Sequence, residues 1–201
     1  MISLESKMKS KGRERFYGGR AMKKVILVID MLNDFIKEGA PLELPEGRKI
    51  IPNIKKLLEE AREKKIPIIY ICDAHRPDDA EFNQWPKHCV EGTFGAEIVE
   101  QLKPEKTDII IKKRRYSGFY STDLDLTLRE LKIDTLILTG VATNICVLHT
   151  AADAYFRGYK IVVVKDCVAT LNEEAQKIGL EHIKNVLGGE IKTLNETIKE
   201  L

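Results

Sequence analysis

The chain has 201 residues, with 33 Lys and Arg against 31 Asp and Glu, so it is long enough for one well-cored domain and carries a formal net charge of only +2. Basic and acidic residues are interspersed without a basic stripe, which argues against nucleic acid as a partner. No apolar run approaches the about 18 residues that a bilayer span needs, so no membrane partner is expected either.

The four cysteines, Cys72, Cys89, Cys146 and Cys167, show no C-x-x-C spacing, which favours a reduced, cytoplasmic setting over a disulfide-stapled one. Charged residues make up 32% of the chain, mostly Lys and Glu, a mix that suits a thermophile. A melting midpoint in the ordinary mesophile range would refute that.

Residues 1–21 are polar, basic and glycine-bearing, without the apolar centre of a signal peptide. Met22 then opens directly into an apolar run, so Met22 is expected to be the biological start. The alternative is a genuine disordered tail. Either way, residues 22–201 are expected to form a single domain.

Strand-type and helix-type runs alternate from there. Val25–Ile29 is an all-apolar strand. Residues 48–64 place Ile50, Ile54, Leu57, Leu58 and Ala61 at helical spacing. Ile66–Cys72 is a second strand, and Gly95–Leu102 is expected to form a short helix. A third strand covers Asp108–Lys112, followed by a helix at Leu124–Leu131 and a strand at Thr135–Thr139. The spacing predicts a helix over Asn144–Arg157, stopped by Gly158. A strand at Lys160–Val164, a helix at Glu173–Leu187 and a last strand at Glu190–Leu194 complete the series. Continuous apolar strands between amphipathic helices imply an α/β fold: a doubly wound, Rossmann-like, mostly parallel sheet of about six strands with helices on both faces. Ligands in such sheets bind beyond the carboxyl ends of the strands.

Several polar residues fall at those ends. Cys146 follows a buried-strand pattern and a Gly-containing turn. With Thr143 as N-cap it would sit in the first helical turn, where free amides and the helix dipole lower a thiol pKa. The ordinary alternative is a small buried apolar residue. Asp30 ends the first strand, where partial desolvation would raise its pKa toward that of a useful base. The alternative is a turn or helix cap, a role that Asp34 fits well. Lys113 follows the third strand and could hold that base and steady negative charge. The alternative is a solvated Lys112–Arg115 cluster. Asp73 and His75, two apart on an extended chain, face the same way. They open the longest irregular stretch, Asp73–Phe94, which also holds Glu81 and His88. Two histidines plus carboxylates suit Zn²⁺, Mn²⁺ or Fe²⁺, against the alternative of loop histidines without a ligand. Trp85 could stack on a flat substrate or merely anchor the loop. His149, three residues after Cys146, reads as packing.

Taken together, the stretches Val28–Phe35, Asp73–His75, Trp85–Thr93, Lys113–Phe119 and Gly140–Cys146 resemble the isochorismatase-like cysteine hydrolases, and within them the nicotinamidase/pyrazinamidase group. The resemblance implies that Asp30, Lys113 and Cys146 form a catalytic triad. It implies a non-proline cis bond between Val141 and Ala142, with the Ala142 and Cys146 amides forming an oxyanion hole. It implies metal ligands at Asp73, His75 and His88, with Glu81 near the place of a further ligand, and one divalent ion, zinc before manganese or iron, that orients a pyridine ring. Phe35, Trp85 and Tyr116 correspond to pocket-lining aromatics.

The implied reaction is hydrolysis of a small carboxamide, nicotinamide to nicotinate plus ammonia, through a thioester. A homo-oligomer is expected. One departure stands out. Lys113 and Tyr116 are only three apart, as in metal-free branches that act on isochorismate-like vinyl ethers or N-carbamoyl amides, so such a substrate is the alternative. A non-catalytic nucleotide-binding domain is the third reading, but the first strand leads into Asp30–Asp34 and not into a Gly-rich phosphate turn.

Overall fold

The computed structural model describes residues 22–201; the expectation about residues 1–21 lies outside them. Six strands form one sheet, every neighbouring pair parallel: β1 (Lys24–Ile29), β2 (Ile68–Asp73), β3 (Ile109–Lys113), β4 (Thr135–Val141), β5 (Lys160–Ala169) and β6 (Glu190–Lys192). Their spatial order is β3-β2-β1-β4-β5-β6. The order reverses between β1 and β4, and that switch point is where a doubly wound sheet opens its crevice.

Burial follows the pleat. Along β1, Ile26 and Val28 join one core layer while Val25, Leu27 and Ile29 join the other. The first layer receives α2 (Pro45–Glu63), through Ile54, Leu57, Leu58 and Ala61, and Leu194 of α6 (Leu194–Glu200). The second receives α3 (Leu124–Glu130), α4 (Leu148–Phe156) and α5 (Glu173–Asn185), through Leu124, Leu128, Ala151, Ala154 and Ile183. Among the described residues, no helix is long and apolar enough to cross a membrane.

Four local expectations change. Residues 95–102 do not form a helix: two single 3₁₀ turns, Phe94–Ala96 and Glu100–Leu102, flank an extended Ile98 that bridges Leu32. Gly95 explains why the chain lies so close here, since a Cβ at that position would stand 2.0 Å from Asp34 Oδ2. The last strand ends at Lys192, because Thr193 caps α6 reciprocally with Glu196. Strand β5 runs on to Ala169, five residues past its expected end. A π-helical turn, Thr143–Val147, precedes α4, and Thr143 makes no capping bond through its side chain. The stop at Gly158 is as expected: φ is +82° and its N–H reaches the Tyr155 carbonyl.

Candidate active site

The site is assembled by strand register. Strand β3 lies at the sheet edge and alternates: Ile111 and Lys113 are buried, Ile110 and Lys112 exposed. Lys113 therefore turns inward, while Lys112 turns out and pairs with Glu91 at 2.7 Å. The β2–β3 ladder sets Lys113 beside Asp73. The β1–β2 ladder brings Asp30, one residue past β1, alongside the same end, where the Asp30 N–H donates to the Ile71 carbonyl.

Asp30 occupies the left-handed region, with φ of 52°, which turns its carboxylate back over the strand ends. Its Oδ1 accepts the Asp73 N–H at 2.9 Å. Its Oδ2 lies 2.7 Å from Lys113 Nζ, an ion contact without an aligned hydrogen bond. Lys113 Nζ donates to Asp73 Oδ1 at 2.6 Å and to Cys146 Sγ at 3.6 Å. One oxygen each of Asp30 and Asp73 and the Cys146 sulfur lie within 4.8 Å of one another, all buried. The expected Asp30, Lys113 and Cys146 are thus together, with Asp73 as an unforeseen fourth member.

Burial, then the neighbouring Asp73 charge, pushes the Asp30 carboxyl up to about 6. Burial works against the Lys113 charge. The carboxylates of Asp30 and Asp73, with Cys146 beside them, nevertheless hold it well above its ordinary value. Burial also pushes the Cys146 thiol well up, with Lys113 only partly offsetting it. This corrects the expectation of a depressed thiol pKa: burial raises it, and the thiol lies beside the Asp30 carboxylate.

The Val141–Ala142 peptide is cis. The N–H groups of Ile145 and Val147 both bind the Ala142 carbonyl, at 3.0 and 3.2 Å. These bonds step over the Cys146 amide. Asp34 does not cap its own helix, α1 (Asn33–Ile36); its Oδ2 accepts the Cys89 N–H at 2.7 Å and ties down the long loop.

That loop closes on itself. The His75 N–H binds the Cys89 carbonyl and the Glu91 N–H binds the His75 carbonyl, each at 2.9 Å, which sets His75 beside His88. Asp73, His75 and His88 each offer a ligand atom within 4.8 Å of the others, all buried. His75 Nε2 and His88 Nε2 stand 3.6 and 4.0 Å from Asp73 Oδ2. The opposite nitrogens are held from behind, His75 Nδ1 by Asp79 Oδ2 at 3.2 Å and His88 Nδ1 by the Pro86 carbonyl at 2.7 Å. His75 Nε2 is buried without a hydrogen-bond partner. A backed imidazole with an orphaned Nε2 aimed at a carboxylate oxygen is what a divalent-cation ligand set requires, so these residues fit a metal. Burial lowers the His88 pKa, favouring the neutral, ligating form. Glu81 is not part of this group; its carboxylate lies 3.6 Å from Arg115 and lines the adjoining cavity.

The cavity measures about 560 Å³ and touches Asp30, Asp73, His88, Ala142 and Cys146. Phe35, Trp85 and Tyr116 line it as expected. Trp85 Nε1 donates to the Tyr116 hydroxyl at 2.9 Å, and Phe35 tilts against His88 with ring centroids 5.5 Å apart. Asn144 also lines it, held by the Thr170 hydroxyl at 2.6 Å; nothing in the sequence reading had singled these two out. His149 packs on Tyr116 and hydrogen bonds the Ile145 carbonyl, a packing role as expected.

The family model for the isochorismatase domain matches residues 24–196. The chain belongs to the isochorismatase family. It is 36% identical over 177 residues to the uncharacterized isochorismatase family protein YaaI of Bacillus subtilis, covering 88% of this chain and 97% of that one. Among solved structures, it is similar to an isochorismatase-like hydrolase from Alkaliphilus metalliredigens (TM-score 0.85, 43% identity, covering 89% of this chain and 98% of the other). It is also similar to the N-carbamoylsarcosine amidase of Thermoplasma acidophilum (TM-score 0.80, 38% identity, 87% and 98% covered). The pyrazinamidase of Pyrococcus horikoshii in complex with zinc matches with a TM-score of 0.80 and 34% identity, 85% and 99% covered. The protein is an isochorismatase-superfamily hydrolase with the all-parallel α/β fold of these relatives.

Proposed function

We propose that this isochorismatase-family hydrolase is a cysteine amidase that converts nicotinamide, or a close heteroaromatic carboxamide, to the acid and ammonia. The observation that carries the reading is that one cavity touches Cys146 together with Asp73 and His88, two members of the Asp73, His75 and His88 donor set. A divalent cation held there, zinc by the donor chemistry, would supply a Lewis-acidic anchor for a ring nitrogen.

The chain's own residues supply the rest. Asp30, with its pKa at about 6, is ionised at neutral pH and takes the Cys146 proton. Lys113 keeps its charge, fixes the Asp30 carboxylate and faces the sulfur as the thiolate forms. The thiolate attacks the carboxamide carbon, and the amides of Ala142 and Cys146 receive the oxyanion. Protonated Asp30 gives its proton to the departing amine, the C–N bond breaks and ammonia leaves a thioester on Cys146. Asp30 then takes a proton from water, the hydroxide opens the thioester, and the acid departs as Sγ regains a proton. Phe35, Trp85 and Tyr116 provide flat apolar walls for an aromatic ring.

A second reading, an N-carbamoyl amide as substrate, is favoured by the three-residue spacing of Lys113 and Tyr116 and by Glu81 standing outside the donor set. Ammonia release from nicotinamide, pyrazinamide and N-carbamoyl amino acids, each with zinc-loaded and chelator-stripped protein, separates the two. Turnover of N-carbamoyl compounds alone, indifferent to metal, would overturn the nicotinamidase reading.

A further inference from the structure

We propose that Asp79 is a positioning residue for the metal site: its buried carboxylate, pinned by Arg114 and Arg115, holds the His75 ring so that Nε2 faces Asp73. The inference rests on the reading that Asp73, His75 and His88 take a divalent cation. Asp79 itself is outside that donor set, because it meets His75 on the Nδ1 side, away from Asp73.

The Asp79 side chain is 0% exposed, whereas the Arg114 and Arg115 side chains are 47% and 42% exposed. An unpaired carboxylate would not be tolerated there. Asp79 has four partners: Arg114 Nε at 2.8 Å, Arg115 Nη1 at 3.1 Å, His75 Nδ1 at 3.2 Å and the Glu81 N–H at 3.3 Å. Both arginines and the Glu81 N–H donate to it, and these contacts hold it as a carboxylate. A carboxylate can only accept, so when the His75 ring is neutral its proton sits on Nδ1 and Nε2 keeps its lone pair. That tautomer is the one a cation needs, and it is set before any cation arrives. Asp79 also caps the turn Ala80–Asn83, whose Phe82 ring lies edge-on to both His75 and His88, at 5.4 and 5.7 Å. One carboxylate thus fixes the ring's proton, its rotation and its apolar wall.

The two arginines follow Lys113 directly. The Lys112–Arg115 run is therefore paired with acids along its length, although only Lys113 is buried. Its four members pair with Glu91, with Asp30 and Asp73, with Asp79, and with Asp79 and Glu81. It clamps the metal-bearing loop onto the strand that supplies the lysine.

The test is Zn²⁺ affinity of the full chain, stripped of metal and titrated against a chromogenic chelator, for the parent, Asp79→Ala and Asp79→Asn. Asp79→Ala is expected to raise the zinc Kd by about 10–100-fold. Asp79→Asn keeps an oxygen acceptor for Nδ1–H and is expected to recover part of the loss. It also decides the matter if the alanine variant does not fold. The ¹⁵N imidazole NMR spectrum of the metal-free protein supplies a readout that mere loosening would not move: His75 should shift from the Nδ1–H tautomer toward a mixture in Asp79→Ala. An alanine variant that binds zinc within twofold of the parent, or that retains the parent tautomer, overturns the proposal. A parent that binds no zinc ends the metal reading and this inference with it.

Discussion

Replacing Lys113 by Met should destabilise the protein more than any surface ion pair could, and in a pH-dependent way. Nζ lies 2.7 Å from Asp30 and 2.6 Å from Asp73 in a pocket where the lysine side chain is 0% exposed. Methionine fills nearly the same volume but leaves two buried carboxylates facing each other without a counter-charge. Breaking a buried pair in this way costs about 3–5 kcal/mol. At this chain length each kcal/mol moves Tm by about 2–4 °C, so the loss should be about 6–20 °C. The sign with pH follows from the shifts. Lys113 has a raised folded pKa, so its contribution is fully present below 10.5 and is lost only as pH climbs through that raised value. In the parent the lysine therefore stays charged throughout pH 5 to 8. Asp30 already sits at about 6, and without the lysine it moves higher. The variant should therefore regain stability as acidification neutralises the stranded carboxylates, and the gap should narrow from pH 8 to pH 5. Thermal melts followed by circular dichroism, with chelator present so that no metal neutralises Asp73, measure this. A Tm within 2 °C of the parent at pH 8, or a gap that widens on acidification, would refute the reasoning.

Three further outcomes are expected. Cys146→Ala should lower ammonia release by at least about 10⁴-fold while leaving the fold intact, since removing a nucleophile removes the whole covalent route; normal turnover would end the nucleophile assignment. The pH profile of kcat/KM should show an acid limb near about 6, because Asp30 is competent only when ionised, with activity falling as pH drops through that value; a limb at the ordinary carboxylate pKa would mean that Asp30 is not the base. Gly140→Ala should abolish soluble protein, because a Cβ there would stand 1.9 Å from the Ile29 carbonyl oxygen at a φ of +103°; wild-type expression and Tm would contradict the β1–β4 packing described.

The sheet was readable because parallel strands buried on both faces must be nearly all apolar, as Val25–Ile29 and the run ending at Cys72 are. The site was readable where a lone carboxylate ends such a run, at Asp30 and Asp73, whereas Lys113 stands inside a basic run and only the pleat sets it apart from Lys112. What escaped depended on tertiary context. The direction of the Cys146 shift is decided by burial, which spacing does not report. Asp79 escaped, because its arginine partners lie 35 and 36 residues away. Residues 95–102 carry apolar spacing compatible with a helix, but the close pass of Gly95 over Asp34 breaks it into two turns. Helix α6 was missed although its signal was present: Thr193 followed three residues later by Glu196 is a capping box.

Asp73 spends one oxygen on Lys113 and turns the other toward His75 and His88. The two jobs have separate partners but a shared side chain, so they are not equally open to change. Under the proposed metal reading, losing either histidine would forfeit the ion and leave the lysine neutralised as before. Losing the aspartate would strip both at once. A lineage shedding its metal can therefore do so through the imidazoles while the carboxylate stays put, and an engineer seeking a metal-independent variant of this scaffold should cut in that same order.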